Sequence, residues 1–538
     1  MKSQTEIVRI ADGSGERPSP EIVGAKAANL AQMAALGLPV PPAFVLPIEL
    51  CAASARGEPD TKQRIAKALS EGIAFLEKAT GRAFDDPHRP LLVSVRSGAA
   101  RSMPGMLDTI LDVGCTPTAV RGLIRMTGNP RFAHDCRRRF LESYGAVVLG
   151  LEGAVFDAEC RKLLAAEGLA GEQALDSEAL ERLATRYEQI IQDEDAPLAE
   201  DPAQQVLAAT AAVHRSWLSE RACAYRKLEH LEDLQGTAVT IQAMVFGNSG
   251  AESGAGVAFS RDPSSGSATP VIDVLFGSQG EDIVSGSRNP ENGEAIARSM
   301  PAVANQLLEA LARLEQDFGD VQDVEFTIEN GKLWLLQTRS AKRTPLAALR
   351  FAIALVKAGR ITASEGLQRL ANVKLNDIAC KRLIDAGPAV ARGTGASAGV
   401  AIGRATFDAD SAKRLAAGGD PVILVRPDTS TRDVAGFAVS AGVLTAKGGR
   451  TAHAALVARQ MGKPCIVGCT DLVIDTAAHD VRLAGHSIRQ GDWLSLDSEA
   501  GTIHLGRGTI VSEAPQAELE EIGRWRMQTS VCHGAAAE

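Results

Sequence analysis

The chain has 538 residues, 45% hydrophobic and 23% charged, with 57 Lys and Arg against 66 Asp and Glu for a net charge of −9. That hydrophobic share excludes a disordered chain, and the length suits about three or four globular domains. The acidic balance and the 4% aromatic content argue against a general nucleic-acid or membrane-surface binder. No apolar run reaches the ~20 residues that span a bilayer. The opening segment MKSQTEIVRIADGSGE lacks a signal-peptide core, and nine cysteines without framework spacing read as reduced thiols of a cytoplasmic protein.

In chain order, the first predicted element is a helix after Gly24, with Leu30, Met33 and Ala34 at helical spacing and a stop at Gly37 and Pro39. Residues 91–95 (LLVSV) read as a buried strand that runs into Arg96-Ser97-Gly98. Residues from about 157 to 226 have helical periodicity, and strands return at 238–246, 256–259 and 271–275. Residues 321–339 read as a hairpin around Glu329-Asn330-Gly331. The chain then looks helical from 344 to about 384. A Gly/Ala/Ser-rich stretch at 387–403 marks entry to a last domain of alternating strands and short helices. After Gly508 a polar tail carries one short amphipathic helix at most.

Three places carry chemistry. Arg96 stands where a buried strand gives way to a glycine-bearing loop, the place where α/β domains dock ligands. A guanidinium fork there suits a phosphate. Lys26 lies in the first turn of the helix after Gly24. Taken alone, each reads as a surface side chain.

In the hairpin, strand alternation turns Val324, Phe326 and Ile328 to one face and Asp323 and Glu325 to the other. Two converging carboxylates suit Mg²⁺ with a nucleotide; an exposed polar face would look the same. A two-residue Asn330-Gly331 loop would set Gln337 on the core face, where an unpartnered amide costs about 1–3 kcal/mol. A three-residue loop with a glycine bulge would set it opposite Asp323, and that bulged loop is expected. Arg339 follows on the returning strand.

His453 lies in Gly448-Gly449-Arg450-Thr451-Ala452-His453-Ala454-Ala455, after a β-branched run and in the first turn of a predicted helix. Exposed N–H groups and the helix dipole favour negative charge there, so a phosphoryl group on the ring would be stabilised and the ring itself kept neutral. The small neighbours leave the ring uncovered. A histidine that only hydrogen-bonds at a helix start is the plainer alternative.

These stretches resemble the pyruvate phosphate dikinase family, within the phosphoenolpyruvate-utilising phosphohistidine enzymes. The resemblance is carried by GAKAANLAQMAALGLPVPPAF, VSVRSGAARSMPGMLDTIL, SGAGVAFSRDPSSG, QGEDIVSG, VQDVEFTIENGKLWLLQTRSAKRT and GVLTAKGGRTAHAALVARQMGKPCIVGC, in the family's order over nearly all of residues 20–508. It implies a multidomain α/β and α+β fold. An ATP-grasp nucleotide domain would occupy 1–340, with the helical insertion at about 157–226. A helical linker at 341–386, a swivelling β/α phosphohistidine domain at 387–508 and a tail at 509–538 would follow.

The resemblance also implies a reaction. His453 attacks ATP, AMP leaves, phosphate takes the terminal phosphoryl as pyrophosphate, and a phosphohistidine remains. Lys26, Arg96, Glu281, Gln337 and Arg339 fall on nucleotide and phosphate positions, Asp323 and Glu325 on Mg²⁺ positions, and Thr451 on a regulatory phosphorylation position of some members. Gly-Ala-Lys replaces the usual double glycine before the lysine. Arg450 and Ala452 stand where dikinases usually show Met and Ser, and Arg450 is more like the phosphoenolpyruvate synthases.

The family's phosphoenolpyruvate/pyruvate barrel, roughly 250 residues, has no room in residues 509–538. The barrel is therefore expected on a separate subunit, or the acceptor is another molecule, and residues 344–384 are expected to act as a hinge. Two rival readings are a synthase-like phosphotransferase using water in place of phosphate, and a non-catalytic nucleotide-sensing remnant. Retention of Asp323, Glu325, Gln337, Arg339 and His453 argues against the remnant.

Overall fold

The computed structural model describes residues 7–11, 13, 15–101, 103, 108–169, 171–194, 198–286, 288–428, 433–450, 452–475 and 480–534. The chain divides into two compact units, Met1–Ser253 with Ile328–Thr338, and Gly254–Thr327 with Arg339–Glu538.

The first unit is built on a sheet of β1 (Val8–Ile10), β2 (Ala43–Leu46), β3 (Val93–Gly98), β4 (Thr109–Val113) and β5 (Ala238–Ala243), in the order β1-β2-β5-β3-β4. β2 and β5 are buried along their whole length, as expected of the inner strands of a covered sheet. The predicted helical region is present as Gly153–Glu167, Ser177–Asp193, Pro202–Ser216 and Glu220–Leu228. The helix Pro130–Val147 packs beside them, with Phe132 edge-on to Phe246 at 5.0 Å and Phe156 edge-on to Tyr187 at 4.9 Å.

A buried charge network fastens this layer. Asp135 Oδ1 accepts from Arg138 Nη2 at 3.0 Å, and its Oδ2 accepts from Arg139 Nε at 3.0 Å and Asn248 Nδ2 at 2.8 Å. Burial would raise the Asp135 carboxyl, but Arg139 and Arg138 outweigh it and hold the group well below the usual carboxylate range. Asp135→Asn removes the carboxylate that Arg138 and Arg139 share, while Glu142 at 2.9 Å and Glu172 at 3.2 Å still face Arg138, and should lower the unfolding free energy by about 1–3 kcal/mol in urea titration. A folded-state value below the unfolded one gives stability that is fully present above the ordinary aspartate range and is lost as the pH falls from there through the lowered folded-state value. The gap between wild type and variant should therefore shrink in acid.

The second unit holds β6 (Gly254–Phe259), β7 (Val271–Phe276), β8 (Glu291–Asn292) and, as far as Thr327, β9 (Gln322–Glu329), in the order β9-β6-β7-β8. β9 is followed by β10 (Lys332–Ser340). The turn between them overturns the bulged loop expected from sequence. Only Asn330 and Gly331 separate the strands, with φ of 48° and 73°. Two consecutive left-handed residues make the mirror-image turn whose twist matches the flanking strands, so no bulge is needed. Gln337 is nearly buried and has a partner.

Farther along, an eight-stranded sheet is ordered Ala391–Arg392, Thr502–Leu505, Trp493–Asp497, Val400–Thr406, Val422–Arg426, Gly442–Thr445, Cys465–Val467, Thr394–Ser397. Its strands Val400–Thr406, Val422–Arg426, Gly442–Thr445 and Cys465–Val467 run parallel. The helices Ala409–Ala417, Val434–Val439 and His453–Gln460 lie in the connections between them, as parallel pairing requires.

Two expectations fail near the ends of this region. The helical reading up to about 384 is wrong at its end, because Cys380–Ile384 is a strand antiparallel to Thr509–Glu513. The tail expected to carry a short helix at most has the 19-residue helix Gln516–Gly534. Its Ile522 and Trp525, one turn apart, are buried with Leu346, Leu349 and Ile353 of the helix Pro345–Lys357.

Candidate active site

In the first unit the end of β3 is shaped by a close approach. The helix Pro20–Ala35 breaks at Gly24, with φ 78° and ψ 156°, and a β-carbon there would lie 2.0 Å from the Gly98 carbonyl oxygen. Ala25 N–H donates to Ala99 O at 2.9 Å. Only glycine allows both the backbone angle and the contact. The result brings Lys26 to the strand end that carries Arg96: the Lys26 β-carbon is 3.8 Å from where a β-carbon on Gly98 would stand. Arg96 is half-buried and lies between Thr240 of β5 and Thr109 of β4 in the sheet register. From the same helix, Asn29 Nδ2 donates to Thr338 O at 2.8 Å, next in sequence to Gln337.

The second unit holds the carboxylates. Arg339 Nε donates to Asp323 Oδ2 at 2.8 Å, and Arg339 Nη2 lies 4.0 Å from Glu325 Oε1. The Asp323 side chain is 1% exposed and that of Glu325 25%. Burial pushes the Asp323 carboxyl above its usual range against the pull of Arg339, and its Oδ1 has no hydrogen-bond partner among the described residues. Such an oxygen fits a cation. Among the described residues no group of three or more His, Cys, Asp and Glu side chains is placed to hold a metal ion by itself. Two carboxylates with a nucleotide's phosphates suit Mg²⁺, which is commonly bound through one or two carboxylates plus phosphate oxygens. Glu281 is an exposed residue in the first turn of the helix Gly280–Ser285, behind a capping box made by Gln279 and Asp282.

The third piece is the helix that begins at His453. Its N-cap is Ala452, whose side chain has no oxygen to offer the first-turn N–H groups. Buried Ala454, Ala455 and Ala458 seat the helix against a core containing Val443, Cys465 and Val467. Thr451 lies outside the described residues.

Sequence reasoning missed Arg459, on this same helix. Arg459 is fully buried, donates from Nη1 to Arg450 O at 2.7 Å and Ala396 O at 2.8 Å, and lies 5.2 Å from the centre of the Phe259 ring. Burial lowers its pKa to about 10, against the pull of Asp323, Cys465 and Asp273. It therefore ties the backbone just before His453 to the body of its own helix. An arginine in an amphipathic helix reads as a solvated side chain, and nothing local to the sequence marks this one as buried.

The family models that match this chain give it an ATP-grasp-type nucleotide-binding domain followed by a phosphohistidine domain. The family model "Pyruvate phosphate dikinase, AMP/ATP-binding domain" matches residues 58–309 and 300–351, and "PEP-utilising enzyme, mobile domain" matches 418–501. The chain belongs to the pyruvate phosphate dikinase family. It is 39% identical over 519 residues to the pyruvate, phosphate dikinase of Clostridium symbiosum, covering 95% of this chain and 59% of that one. Against the chloroplastic enzyme of Flaveria trinervia it is 38% identical over 519 residues, covering 96% and 54%. Against pyruvate, phosphate dikinase 2 of Zea mays it is 37% identical over 516 residues, covering 95% and 58%. The chain thus spans somewhat more than half the length of these relatives.

Proposed function

We propose that this chain is an ATP-dependent phosphotransferase that phosphorylates itself on His453 in a dikinase-type half-reaction. The observation that carries the reading is the Asp323–Arg339–Glu325 cluster, with its orphaned Asp323 oxygen, in the unit that also holds the helix starting at His453. The His453 ring nitrogen attacks ATP at phosphorus and the bond to AMP breaks. An oxygen of inorganic phosphate then attacks the terminal phosphorus. Pyrophosphate leaves, and one phosphoryl group stays on the ring. Arg339, Lys26 and Arg96 offset the phosphate charge, with Glu281 and Gln337 completing the nucleotide site. Asp323 and Glu325 would hold Mg²⁺, which when bound supplies further neutralisation of phosphate oxygens.

The relatives' names point to pyruvate as acceptor. The finer reading is that the phosphoryl group passes to pyruvate, or another acceptor, on a separate barrel-bearing subunit, with residues 344–384 as hinge and Thr451 as a regulatory site. The domain limits given above and a cytoplasmic location belong to the same proposal. No helix among the described residues is long and apolar enough to cross a membrane.

The test is incubation with ATP, Mg²⁺ and phosphate. One AMP and one pyrophosphate per chain, with an acid-labile, base-stable phosphoryl mark, is the expected result. AMP release that proceeds equally without phosphate would favour water as second acceptor, and the absence of any mark would overturn the reading. Addition of a barrel-bearing subunit should make turnover pyruvate-dependent.

A further inference from the structure

The loop before His453 rests on a segment that the half-reaction described above leaves without a role. Gly448 N–H donates to Asn289 Oδ1 at 2.9 Å. Gly448 has φ 107°, a conformation that side chains other than glycine's rarely adopt. Around this bond the two surfaces meet through the smallest residues available. A β-carbon on Gly449 would lie 2.3 Å from Pro290 Cγ and 2.5 Å from Asp273 Oδ2. One on Gly286 would lie 2.9 Å from the Ala452 β-carbon, and one on Gly468 2.8 Å from Gly448 O and 3.5 Å from Asn289 Oδ1. Gly449 does not have a positive φ, so its lack of a side chain answers to the contact and not to its backbone. Asp273 lies on β7, in the same sheet as the Asp323 strand.

We propose that Asn289 is a positioning residue. Its amide oxygen latches the Gly448–Gly449 loop onto the segment carrying Gly286 and Pro290, and so holds the start of the His453 helix docked for phosphoryl transfer from the nucleotide. The inference rests on the proposed half-reaction and adds to it the contact from which the reaction starts. Neither Asn289 nor Pro290 touches the reacting atoms in this scheme; they act through the loop. The latch is weak by construction, one neutral hydrogen bond and a close steric fit, which suits a domain that must also leave.

Three variants test this: Asn289→Ala, Gly449→Ala, and Gly449→Ala combined with Pro290→Ala. Each is assayed for ATP-dependent phosphorylation in a single turnover. Each is also assayed for phosphorylation of His453 by phosphoramidate, a small donor that needs no docking. Loss of one neutral hydrogen bond should slow the ATP-dependent reaction about 5–10-fold in Asn289→Ala. Overpacking should slow it about 10-fold or more in Gly449→Ala. Removing the Pro290 ring should restore part of that loss if the two residues meet as described. Phosphoramidate labelling should match the wild type in all three.

Equal ATP-dependent rates in Asn289→Ala and wild type would overturn the proposal, as would a parallel fall in phosphoramidate labelling. If the wild type itself takes no phosphoryl group from ATP, the half-reaction falls. The latch is then judged by hydrogen exchange at the Gly448 amide: faster exchange in Asn289→Ala supports it, and unchanged exchange overturns it.

Discussion

His453→Ala is expected to abolish the ATP-dependent phosphoryl mark entirely, as read by intact mass, without disturbing the fold. The helix it begins is held by other residues: Ala454, Ala455 and Ala458 are buried in the core beneath it, and Arg459 ties its far end to Arg450 O and Ala396 O. Alanine also has the highest helix propensity, so the first turn should persist. A general base can sometimes be replaced by water at a cost of 10²–10⁴ in rate. A covalent carrier cannot, because the intermediate has nowhere else to form. His453→Asn should behave in the same way, keeping a polar side chain at the helix start but no ring nucleophile. A mark that survives either substitution would move the carrier to another residue.

What the sequence revealed and what it hid divide along physical lines. The helix start at His453 was legible because the signals are local: a double glycine, a β-branched run before it and a glycine-proline stop after it. The helical layer of the first unit was legible for the same reason. The hairpin was legible too, but its turn is a two-residue one where a bulged loop is expected. Burying Gln337 carries no unpartnered-amide cost, because Gln337 has a partner. The Asn-Gly pair was itself the stronger signal, since both residues tolerate positive φ.

The strand Cys380–Ile384 was hidden for another reason. Its hydrogen-bonding partner is Thr509–Glu513, far along the chain, and no window around it could show that pairing. The Gln516–Gly534 helix is anchored in the same non-local way, by Trp525 against Gly366. Arg459 and Asn289 follow this pattern at the candidate site. The groups expected to react were legible locally, and the contacts of Arg459 and Asn289 were visible only in tertiary structure.

Arg339→Lys is expected to lower AMP formation about 100-fold or more, because a point ammonium on a different stem cannot reproduce a guanidinium fork that spans two carboxylates. The fork reaches Asp323 through Nε at 2.8 Å and approaches Glu325 through Nη2 at 4.0 Å. Asp323 makes the consequence pH-dependent. Burial raises its carboxyl, and Arg339 is the chief force pulling it back down. An ionised carboxylate is the form that holds a cation. Removing the guanidinium with Arg339→Met should therefore move the acid limb of the pH–rate profile toward higher pH and raise the Mg²⁺ concentration needed for half-maximal rate.

Asp323→Asn provides the control. A carboxyl whose folded pKa lies above its unfolded one stabilises the fold most when protonated, and that contribution is lost as the pH rises through the folded value. Asparagine is a neutral isostere of the protonated acid, so at neutral pH the variant should melt no lower than the wild type. Its AMP formation should nonetheless fall by about 100-fold or more, since the orphaned Oδ1 is no longer part of an anion. Loss of stability in parallel with loss of activity would make Asp323 a structural acid held by Arg339. Loss of activity at full stability would make its buried charge a feature maintained for the cation and the phosphates it binds.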